Sequence, residues 1–207
     1  MRRGLLVVIS GFAGSGKGTI CKELMKQHDN YAFSVSATTR DPRPGEVDGV
    51  DYFFITKERF LEMIEANELL EHAQYVSNYY GTPRAYVEEM LKQGKDVILE
   101  IECQGALQVK KLFPEAVLFF VMPPSVAEVY NRLKKRGTET EEVILKRMKR
   151  GQEEAETIHG YDYLLINDDL DETVELLHNT VNCARNATER NAQFIEEIKE
   201  EFKAFLK

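Results

Sequence analysis

Residues 11–19 read Gly11-Phe12-Ala13-Gly14-Ser15-Gly16-Lys17-Gly18-Thr19. An apolar run at 5–9 precedes this stretch, and a helix-like segment at 20–25 follows it. Glycines at such a junction let successive backbone N–H groups point into one concavity, while the helix N-terminus and Lys17 add positive charge. The pattern predicts a P-loop that binds the phosphates of a nucleotide, most naturally a triphosphate. The alternative is a glycine-rich turn that binds nothing.

The last position of this motif departs from the usual pattern. A Ser or Thr hydroxyl normally stands there to bind magnesium, but this chain has Gly18, and the hydroxyl follows at Thr19. We therefore expect Mg²⁺ to be bound with the nucleotide and Thr19 to supply the hydroxyl ligand.

Composition limits the class of protein. The chain has 207 residues, a net charge of -8 and a pI near 5.2, so it lacks the broad basic field that a nucleic acid or an anionic membrane requires. The N-terminal apolar run is shorter than the ~7–15 residues of a secretory signal, and no run approaches the ~20 residues of a membrane span. Three scattered cysteines indicate neither a disulfide framework nor a zinc site. We expect a single cytoplasmic domain.

Short apolar runs alternate with helical patterns. Strand-length runs occur at 5–9, 97–101, 116–122 and 163–166, and helical patterns occur at 86–92, 125–135 and 143–156. Uniformly apolar strands are typical of a parallel sheet that is buried on both faces. We predict an α/β fold with a three-layer α/β/α P-loop core, whose ligands lie at the carboxyl ends of the strands.

Two segments read as insertions on this core. Residues 34–84 combine a β-like run at 50–55, a helix at 57–66 and a turn at 78–81, and residues 124–160 read as a charged helical lid. The predicted core comprises 1–33, 85–123 and 161–207. Its last ~40 residues predict one or two amphipathic helices packed on the core.

A second informative stretch spans residues 36–54. Arg40 and Arg43 lie there in a loop punctuated by Pro and Gly, where guanidinium forks can clamp one anion, and Tyr52 and Tyr80 can add phenolic donors. This arrangement suits a phosphate monoester. A solvated basic loop is the alternative.

Several motifs in this order resemble guanylate kinase. They are the P-loop, the pattern Ser-x-Thr-Thr-Arg-x-Pro-Arg-x-Gly-Glu-x-x-Gly-x-Asp-Tyr-x-Phe at 36–54, Glu71 with 78–82, Glu100-Ile101-Glu102-Cys103-Gln104-Gly105, and residues 136–142. The resemblance implies transfer of the γ-phosphoryl of MgATP to GMP. It assigns residues 34–84 as the GMP-binding module.

The same resemblance implies the residues of the acceptor site. Arg40, Arg43, Tyr52 and Tyr80 would hold the 5′-phosphate of GMP, and the guanine would lie among Ser36, Glu71, Thr82 and Glu102. The chemistry agrees, because guanine presents N1–H and an amine as adjacent donors that one carboxylate can accept, and adenine does not. A lone glutamate such as Glu71 would otherwise be read as a solvated acid.

On the ATP side the resemblance implies the P-loop residues 11–19 with Arg132 and Asn167. Arg136 and Arg147 would grip the transferring phosphoryl group, with Arg150 as a weaker candidate, although cations on helices are usually solvated. Glu100 would bind the metal, directly or through water. Phe12 and Ala13 replace the family's frequent Pro-Ser, and His72 stands where Trp often follows Glu71.

Two other functions fit parts of the pattern. One is a catalytically inactive guanylate-kinase-like module that binds a phosphopeptide, which the intact Lys17 and Arg136 disfavour. The other is a kinase for a different monophosphate, such as adenylate kinase, which Glu71 and residues 36–54 disfavour. The amphipathic C-terminal segment is compatible with a homo-oligomer.

Overall fold

The computed structural model describes residues 3–75, 77–135, 137 and 140–206. Its strands are β1 (Leu6–Gly11), β2 (Tyr31–Phe33), β3 (Ala37–Thr38), β4 (Phe53–Phe54), β5 (Leu69–Tyr75), β6 (Asn78–Pro83), β7 (Asp96–Glu100), β8 (Val117–Met122) and β9 (Tyr163–Ile166). Its α-helices are α1 (Lys17–Gln27), α2 (Lys57–Glu65), α3 (Arg84–Lys92), α4 (Cys103–Leu112), α5 (Val126–Lys135), α6 (Glu141–Ala155), α7 (Leu170–Arg185) and α8 (Ala192–Phe205).

The larger sheet has the strand order β2-β7-β1-β8-β9, and all its pairings are parallel. Strand β1 lies at its centre, where Ile9 pairs with Glu100 of β7 and Gly11 pairs with Val121 of β8. The predicted α/β fold with a parallel sheet is confirmed. Because the strands are parallel, their carboxyl ends meet at one edge, which is where the P-loop begins.

Successive residues of β1 point to opposite faces of the sheet, as the pleat requires. Val7 and Ile9 pack in one cluster with α1 and α7, and Leu6 and Val8 pack in another with α3 and α4. All four side chains are buried. Burial on both faces explains why the strand is uniformly apolar, and it produces the three layers.

A smaller mixed sheet has the order β4-β3-β6-β5, and it lies wholly within the predicted insertion at 34–84. Helix α2 covers it with Phe60 and Met63, which pack against Ala37 and Leu69. Thr56 caps this helix, since its hydroxyl accepts the backbone N–H of Arg59 at 3.2 Å. The sheet has its own small core, although the division of the chain into core, module and lid stays a prediction.

The turn predicted at 78–81 is wrong, because these residues lie in strand β6 and Gly81 pairs with both Ala37 and His72. The hairpin turns instead between Tyr75 and Asn78. The composition of this segment, with polar and aromatic residues and a glycine, is typical of a turn. Pairing with β3 on one side and β5 on the other holds it in an extended conformation instead.

The β-like run at 50–55 is shorter than expected, since only Phe53–Phe54 forms a strand. The segment before it is a turn in which the Asp51 carboxylate accepts the N–H of Val47 at 2.8 Å. Strands β2 and β5 were not predicted, because β2 has three residues and β5 carries Glu71, His72 and Gln74 within an otherwise strand-like sequence.

Helices α5 and α6 belong to the predicted lid at 124–160, and they pack on the P-loop side of the sheet. Val129 and Leu133 of α5 and Ile144 of α6 form a buried cluster with Phe12 and Phe120. The rings of Phe12 and Phe120 meet edge to face with centroids 5.0 Å apart. Phe12 therefore connects the phosphate-binding loop to the helices above it.

The two C-terminal helices differ in their packing. Helix α7 buries Val174, Leu177 and Val181 against the sheet, as predicted. Helix α8 has no buried residue, so of the one or two helices predicted to pack on the core, α7 is the one that does so. None of the helices in the described ranges combines the length and the apolarity that a membrane span needs.

A buried carboxylate joins four parts of the core. Asp96, at the start of β7, is fully buried and accepts from the backbone N–H of Leu5 at 2.8 Å and from Asn30 at 3.0 Å. Arg185 at the end of α7 forms an ion pair with the same carboxylate. These bonds tie β7 to the start of β1, to the approach to β2 and to α7.

We expect Asp96→Ala to destabilise the fold by about 3 kcal/mol, because it leaves a buried N–H and a partly buried guanidinium without their acceptor. Urea unfolding of wild type and variant measures this loss. Glu175→Ala, on the exposed side of α7, is the control and should change stability by less than about 0.5 kcal/mol. Equal midpoints for all three proteins would contradict the proposed role of Asp96.

Candidate active site

A cleft of about 870 Å³ opens at the carboxyl edge of the parallel sheet and faces the smaller sheet. It brings together residues that are far apart in the sequence. The predicted site residues that line it are Lys17, Ser36, Arg40, Arg43, Tyr52, Glu71, Tyr80, Glu100, Glu102 and Arg147. Arg150, the weaker candidate, lines it as well.

A second cavity of about 170 Å³ lies against the P-loop. Its lining includes Gly11, Ala13, Gly14, Ser15, Gly16, Lys17 and Gly18. Five residues line both this cavity and the larger cleft, namely Lys17, Glu100, Glu102, Arg147 and Arg150. The two spaces therefore meet at a boundary of cations and carboxylates.

The P-loop requires glycine at its tight positions. Gly14 and Gly16 have φ values of +81° and +92°, which residues with a side chain rarely adopt. A Cβ on Gly16 would also lie 2.4 Å from the Asn167 amide nitrogen, which donates to the Ser15 carbonyl at 2.7 Å. The Lys17 ammonium donates to the carbonyls of Gly11 and Phe12 at 2.7 and 3.0 Å. The loop is thus fixed from both sides.

Arg132 and Asn167 lie behind the P-loop, and neither lines either cavity. Arg132 donates to the Asn167 carbonyl at 2.9 Å and to Glu128 at 2.7 Å. Asn167 is buried. In this structure they support the loop that carries Gly16.

The predicted metal ligands lie on two sides of the loop. A Cβ on Gly18 would be 3.4 Å from an oxygen of Glu100, so this carboxylate contacts the P-loop directly. Thr19 is exposed and lines neither cavity. Among the described residues no cluster of three or more His, Cys, Asp or Glu could hold a metal. One carboxylate and one hydroxyl are a set of oxygen ligands that fits Mg²⁺, since this ion is usually bound by one or two carboxylates together with substrate phosphates.

The anion clamp contains a residue that the sequence analysis did not assign. Glu46 accepts from both Nη1 and Nη2 of Arg40 at 2.9 Å and from the backbone N–H of Arg43 at 2.7 Å. This bidentate pair raises the pKa of Arg40 and lowers that of Glu46. Nη1 also donates to the carbonyl of Asp41 at 2.6 Å. These bonds use both Nη1–H groups and one Nη2–H group of Arg40, which together form the end of the guanidinium.

Aromatic rings complete this side of the cleft. The guanidinium of Arg40 lies over Tyr52 and Phe54, 5.4 and 5.7 Å from their ring centroids, and Tyr80 also hydrogen-bonds it. Burial raises the pKa of Tyr52 to about 12. Tyr52 therefore keeps its phenolic proton at neutral pH, so it can donate to an anion.

Glu71 is the buried carboxyl of the cleft, with 5% of its surface exposed. Loss of solvation raises its pKa to about 7, against the opposing effect of the Thr82 hydroxyl, which donates to Oε1 at 2.7 Å. Thr82 is fully buried and lines neither cavity. The next residue of β5, His72, is exposed, since alternate residues of a strand face opposite sides.

Gly105 is a second residue that the sequence analysis left without a role. It lies in the first turn of α4, and a Cβ there would be 2.4 Å from Oε2 of Glu71. The absence of a side chain makes room for the carboxyl against the helix. A glycine just inside a helix costs stability, and this cost is the sequence signal that could have drawn attention to it.

Part of the predicted site lies outside the described residues. This applies to Arg136, Thr138 and Glu139 of the motif at 136–142. Arg147 and Arg150 of α6 are described, and Arg150 lies 3.7 Å from Glu102 and 3.1 Å from Glu154. The lid helix thus reaches the carboxylate edge of the cleft.

The fold and this site define a P-loop α/β protein with a second, arginine-rich anion site facing the phosphate-binding loop. The model of the guanylate kinase family matches residues 3–184. The chain belongs to the guanylate kinase family.

Individual relatives agree over nearly the full length. A guanylate kinase of Clostridioides difficile (strain 630) is 52% identical over 202 residues, which cover 97% of this chain and 98% of that protein. One from Halalkalibacterium halodurans is 55% identical over 188 residues, covering 91% and 92%. The crystal structure of guanylate kinase from Anaplasma phagocytophilum superposes with a TM-score of 0.76 at 33% identity, covering 91% of this chain and 90% of that one.

The buried Glu71 predicts a pH-dependent stability. Its pKa is about 7 in the folded protein and near 4.5 when solvated. Below about pH 4.5 the Glu71 carboxyl is protonated in both the folded and the unfolded protein, so its burial costs no charge. Between about pH 4.5 and 7 the unfolded chain releases this proton while the folded protein keeps it, and above about pH 7 the folded protein must bury the charged form. Stability is therefore lost as the pH rises.

Glu71→Gln cannot titrate, so we expect it to gain about 3 kcal/mol relative to wild type between pH 4.5 and pH 8. Urea unfolding at several pH values measures the difference. Glu65→Gln, at an exposed position of α2, is the control and should follow the wild-type profile. Parallel profiles for wild type and Glu71→Gln would show that the Glu71 carboxyl is not held in a desolvated state.

Proposed function

We propose that this chain transfers the γ-phosphoryl group of MgATP to GMP, giving ADP and GDP. One observation carries the proposal: the P-loop cavity and the arginine-rich cleft meet at shared residues that include Lys17 and Arg147. A donor phosphate in the first space and an acceptor phosphate in the second would face each other there. Family membership supports the same reaction.

On the acceptor side we assign the 5′-phosphate of GMP to Arg40, Arg43, Tyr52 and Tyr80. Glu46 occupies the end of the Arg40 guanidinium, so the phosphate would take the side edge with Nε–H. Both Arg43 and Tyr80 line the same cleft. Forked guanidinium donors and phenolic hydroxyl donors suit a tetrahedral dianion.

We assign guanine recognition to Glu71, with Ser36, Thr82 and Glu102. As a carboxylate, Glu71 would accept from both N1–H and the amine of guanine, and adenine offers no such pair of donors. A buried acceptor that loses its partners costs free energy, so the site would reject other bases. Thr82 would act by holding the Glu71 carboxyl in place.

On the donor side we assign the ATP phosphates to the P-loop N–H groups of residues 11–19 and to Lys17. Arg147, and Arg136 next to the lid helix, would stabilise charge on the transferring group. Arg132 and Asn167 would fix the loop from behind, beside the adenosine. Mg²⁺ would be held by Glu100, directly or through water, with Thr19 as the hydroxyl ligand, and it would offset phosphate charge.

Phosphoryl transfer requires little covalent chemistry from the protein. The acceptor phosphate is already anionic near neutral pH, so no strong base is required, and the residues serve to align the two groups and neutralise charge. Closure of the lid at 124–160 over the module at 34–84 would exclude water and suppress hydrolysis of ATP. We place this reaction in the cytoplasm.

A coupled assay of ADP formation with GMP, dGMP, AMP, CMP and UMP tests the proposal. We expect turnover with guanine nucleotides and at least about 10⁴-fold lower efficiency with the others. Lys17→Ala should lose several orders of magnitude in turnover while keeping its fold, because its ammonium serves charge that develops in the transition state. A preference for AMP, or full activity of Lys17→Ala, would refute the assignment; phosphopeptide binding without turnover would favour the inactive module.

Glu46 provides a test of the acceptor clamp. We expect Glu46→Ala to raise the KM for GMP by about tenfold, roughly the worth of one charge-assisted bond, and to leave kcat and the KM for ATP near wild type. The reason is that Glu46 orients Arg40 and touches no reacting atom. Asp41→Asn removes a charge from the same loop without breaking a bond to Arg40, so it is the matched control. Equal defects in both variants would point to a general field effect instead.

A further inference from the structure

Glu154 is a buried carboxyl beside the P-loop to which the proposed reaction gives no role. It lies in the last turn of α6, with 9% of its surface exposed, and it lines the P-loop cavity. Burial raises its pKa. A carboxylate at this place would repel the phosphates that the cavity is proposed to bind, and its burial costs free energy unless it is paired. Its partner therefore decides what it does there.

The partner of Glu154 is Arg150, one turn earlier on the same helix. Nε of Arg150 donates to Oε1 of Glu154 at 3.1 Å. Nη2, at the end of the guanidinium, lies 3.7 Å from Oε2 of Glu102. The guanidinium is thus placed between two carboxyl groups. Arg150 lines both the P-loop cavity and the larger cleft, so it stands at the boundary where the two spaces meet.

Helix α6 is held against the P-loop by apolar contacts. Ile144 is buried in the cluster that contains Phe12, and a Cβ on Gly151 would lie 3.6 Å from Cδ1 of that ring. The helix backbone therefore approaches the loop closely, one residue after Arg150. Residues spaced by three or four share one side of a helix, and three polar residues with this spacing line the P-loop cavity, namely Arg147, Arg150 and Glu154. The packing of α6 fixes where these three side chains begin.

We propose that Arg150 contacts the transferring phosphoryl group as a further catalytic residue, and that Glu154 is the positioning residue that holds its guanidinium in place. This role rests on the transfer from ATP to GMP proposed above. In that transfer an oxygen of the GMP phosphate bonds to the γ-phosphorus, while the bond to the β,γ-bridging oxygen breaks and its electron pair leaves with ADP. Negative charge is spread over the equatorial oxygens in the transition state, where a fixed cation stabilises it most.

The bond between the two residues accounts for a carboxyl in a phosphate cavity. The Arg150 side chain is 34% exposed, so without a partner it would sample several rotamers. The bond from Nε fixes the plane of the guanidinium in advance of the reaction. The charge of Arg150 in turn offsets that of Glu154, and their bond opposes the effect of burial on the pKa of the carboxyl. The pair therefore provides an oriented cation.

Steady-state kinetics of Arg150→Ala test the catalytic part. We expect kcat to fall about 100-fold and the KM values for GMP and ATP to stay within about threefold of wild type, because the cation is needed most in the transition state. Lys149→Ala is the matched control and should keep the wild-type kcat, since Lys149 is exposed on the same helix and lines neither cavity. An unchanged kcat in Arg150→Ala, or a raised KM for GMP alone, as when Arg150 only supports Glu102, would overturn this role.

A double-mutant cycle tests the positioning part. Glu154→Met fills a similar volume without an acceptor, and folds often tolerate such a replacement of a buried charge. We expect it to lower kcat about tenfold in the wild-type background and less than about twofold in the Arg150→Ala background, since Glu154 acts through Arg150. Glu154→Gln keeps an oxygen acceptor for Nε–H and should recover most of the loss.

Glu153→Gln is the control for this cycle, because it removes the charge of an exposed neighbour on the same helix. It should keep the wild-type kcat in both backgrounds. Equal losses from Glu154→Met in the two backgrounds would mean that Glu154 acts independently of Arg150, and they would overturn the positioning role.

Binding and unfolding measurements separate this role from a structural one. Arg150→Ala and Glu154→Met should bind a non-hydrolysable ATP analogue with wild-type affinity and keep a cooperative urea transition, because the pair acts on the transition state. A loss of affinity as large as the loss of kcat would overturn the role. If wild type does not phosphorylate GMP, the proposed reaction and this role both fail. If wild type does so and the variants match it, only the role of Arg150 and Glu154 fails.

Discussion

The site depends on the parallel pairing of β1 between β7 and β8. This register sets Ile9 beside Glu100, and it brings Gly11 so close to Val121 that a Cβ on this glycine would lie 2.0 Å from the Val121 carbonyl oxygen. The end of β1 continues into the P-loop, and the end of β7 continues through Glu102 into α4. One set of backbone hydrogen bonds therefore fixes the distance between the phosphate-binding loop and the carboxylates that face it.

The cleft also depends on groups that are unfavourable for stability. Glu71 is buried beside Thr82, and its pKa is raised because the charged form has lost its water. Gly105 stabilises its helix less than a residue with a side chain would, but it leaves room for this carboxyl. By contrast, Asp96 is equally buried but is surrounded by donors from three directions. The carboxyl whose pKa is raised by burial lies in the cleft, and the carboxyl that is paired with an arginine lies in the core, as expected if the cleft is shaped for a ligand.

The arginine clamp shows how an anion site is kept in order. Arg40 is held at one end by Glu46 and covered by the rings of Tyr52 and Phe54. A guanidinium fixed in this way loses less rotational freedom when it binds an anion. Residues 40, 46, 52 and 54 belong to one short loop and strand, so the contacts that orient the clamp lie within the segment 34–84.

The sequence by itself determined the P-loop, the parallel α/β core and the family, because the glycines at 11, 14 and 16 and the uniformly apolar strands express local and periodic constraints. It also named Glu71 and Arg40. Only the tertiary structure decided that Asn78–Pro83 is a strand, since pairing with β3 and β5 outweighs the turn-like composition. It also decided that Glu46 pairs with Arg40, that Gly105 lies against Glu71 and that α8 buries none of its residues. These depend on which residues meet across long separations, and no local pattern specifies such meetings.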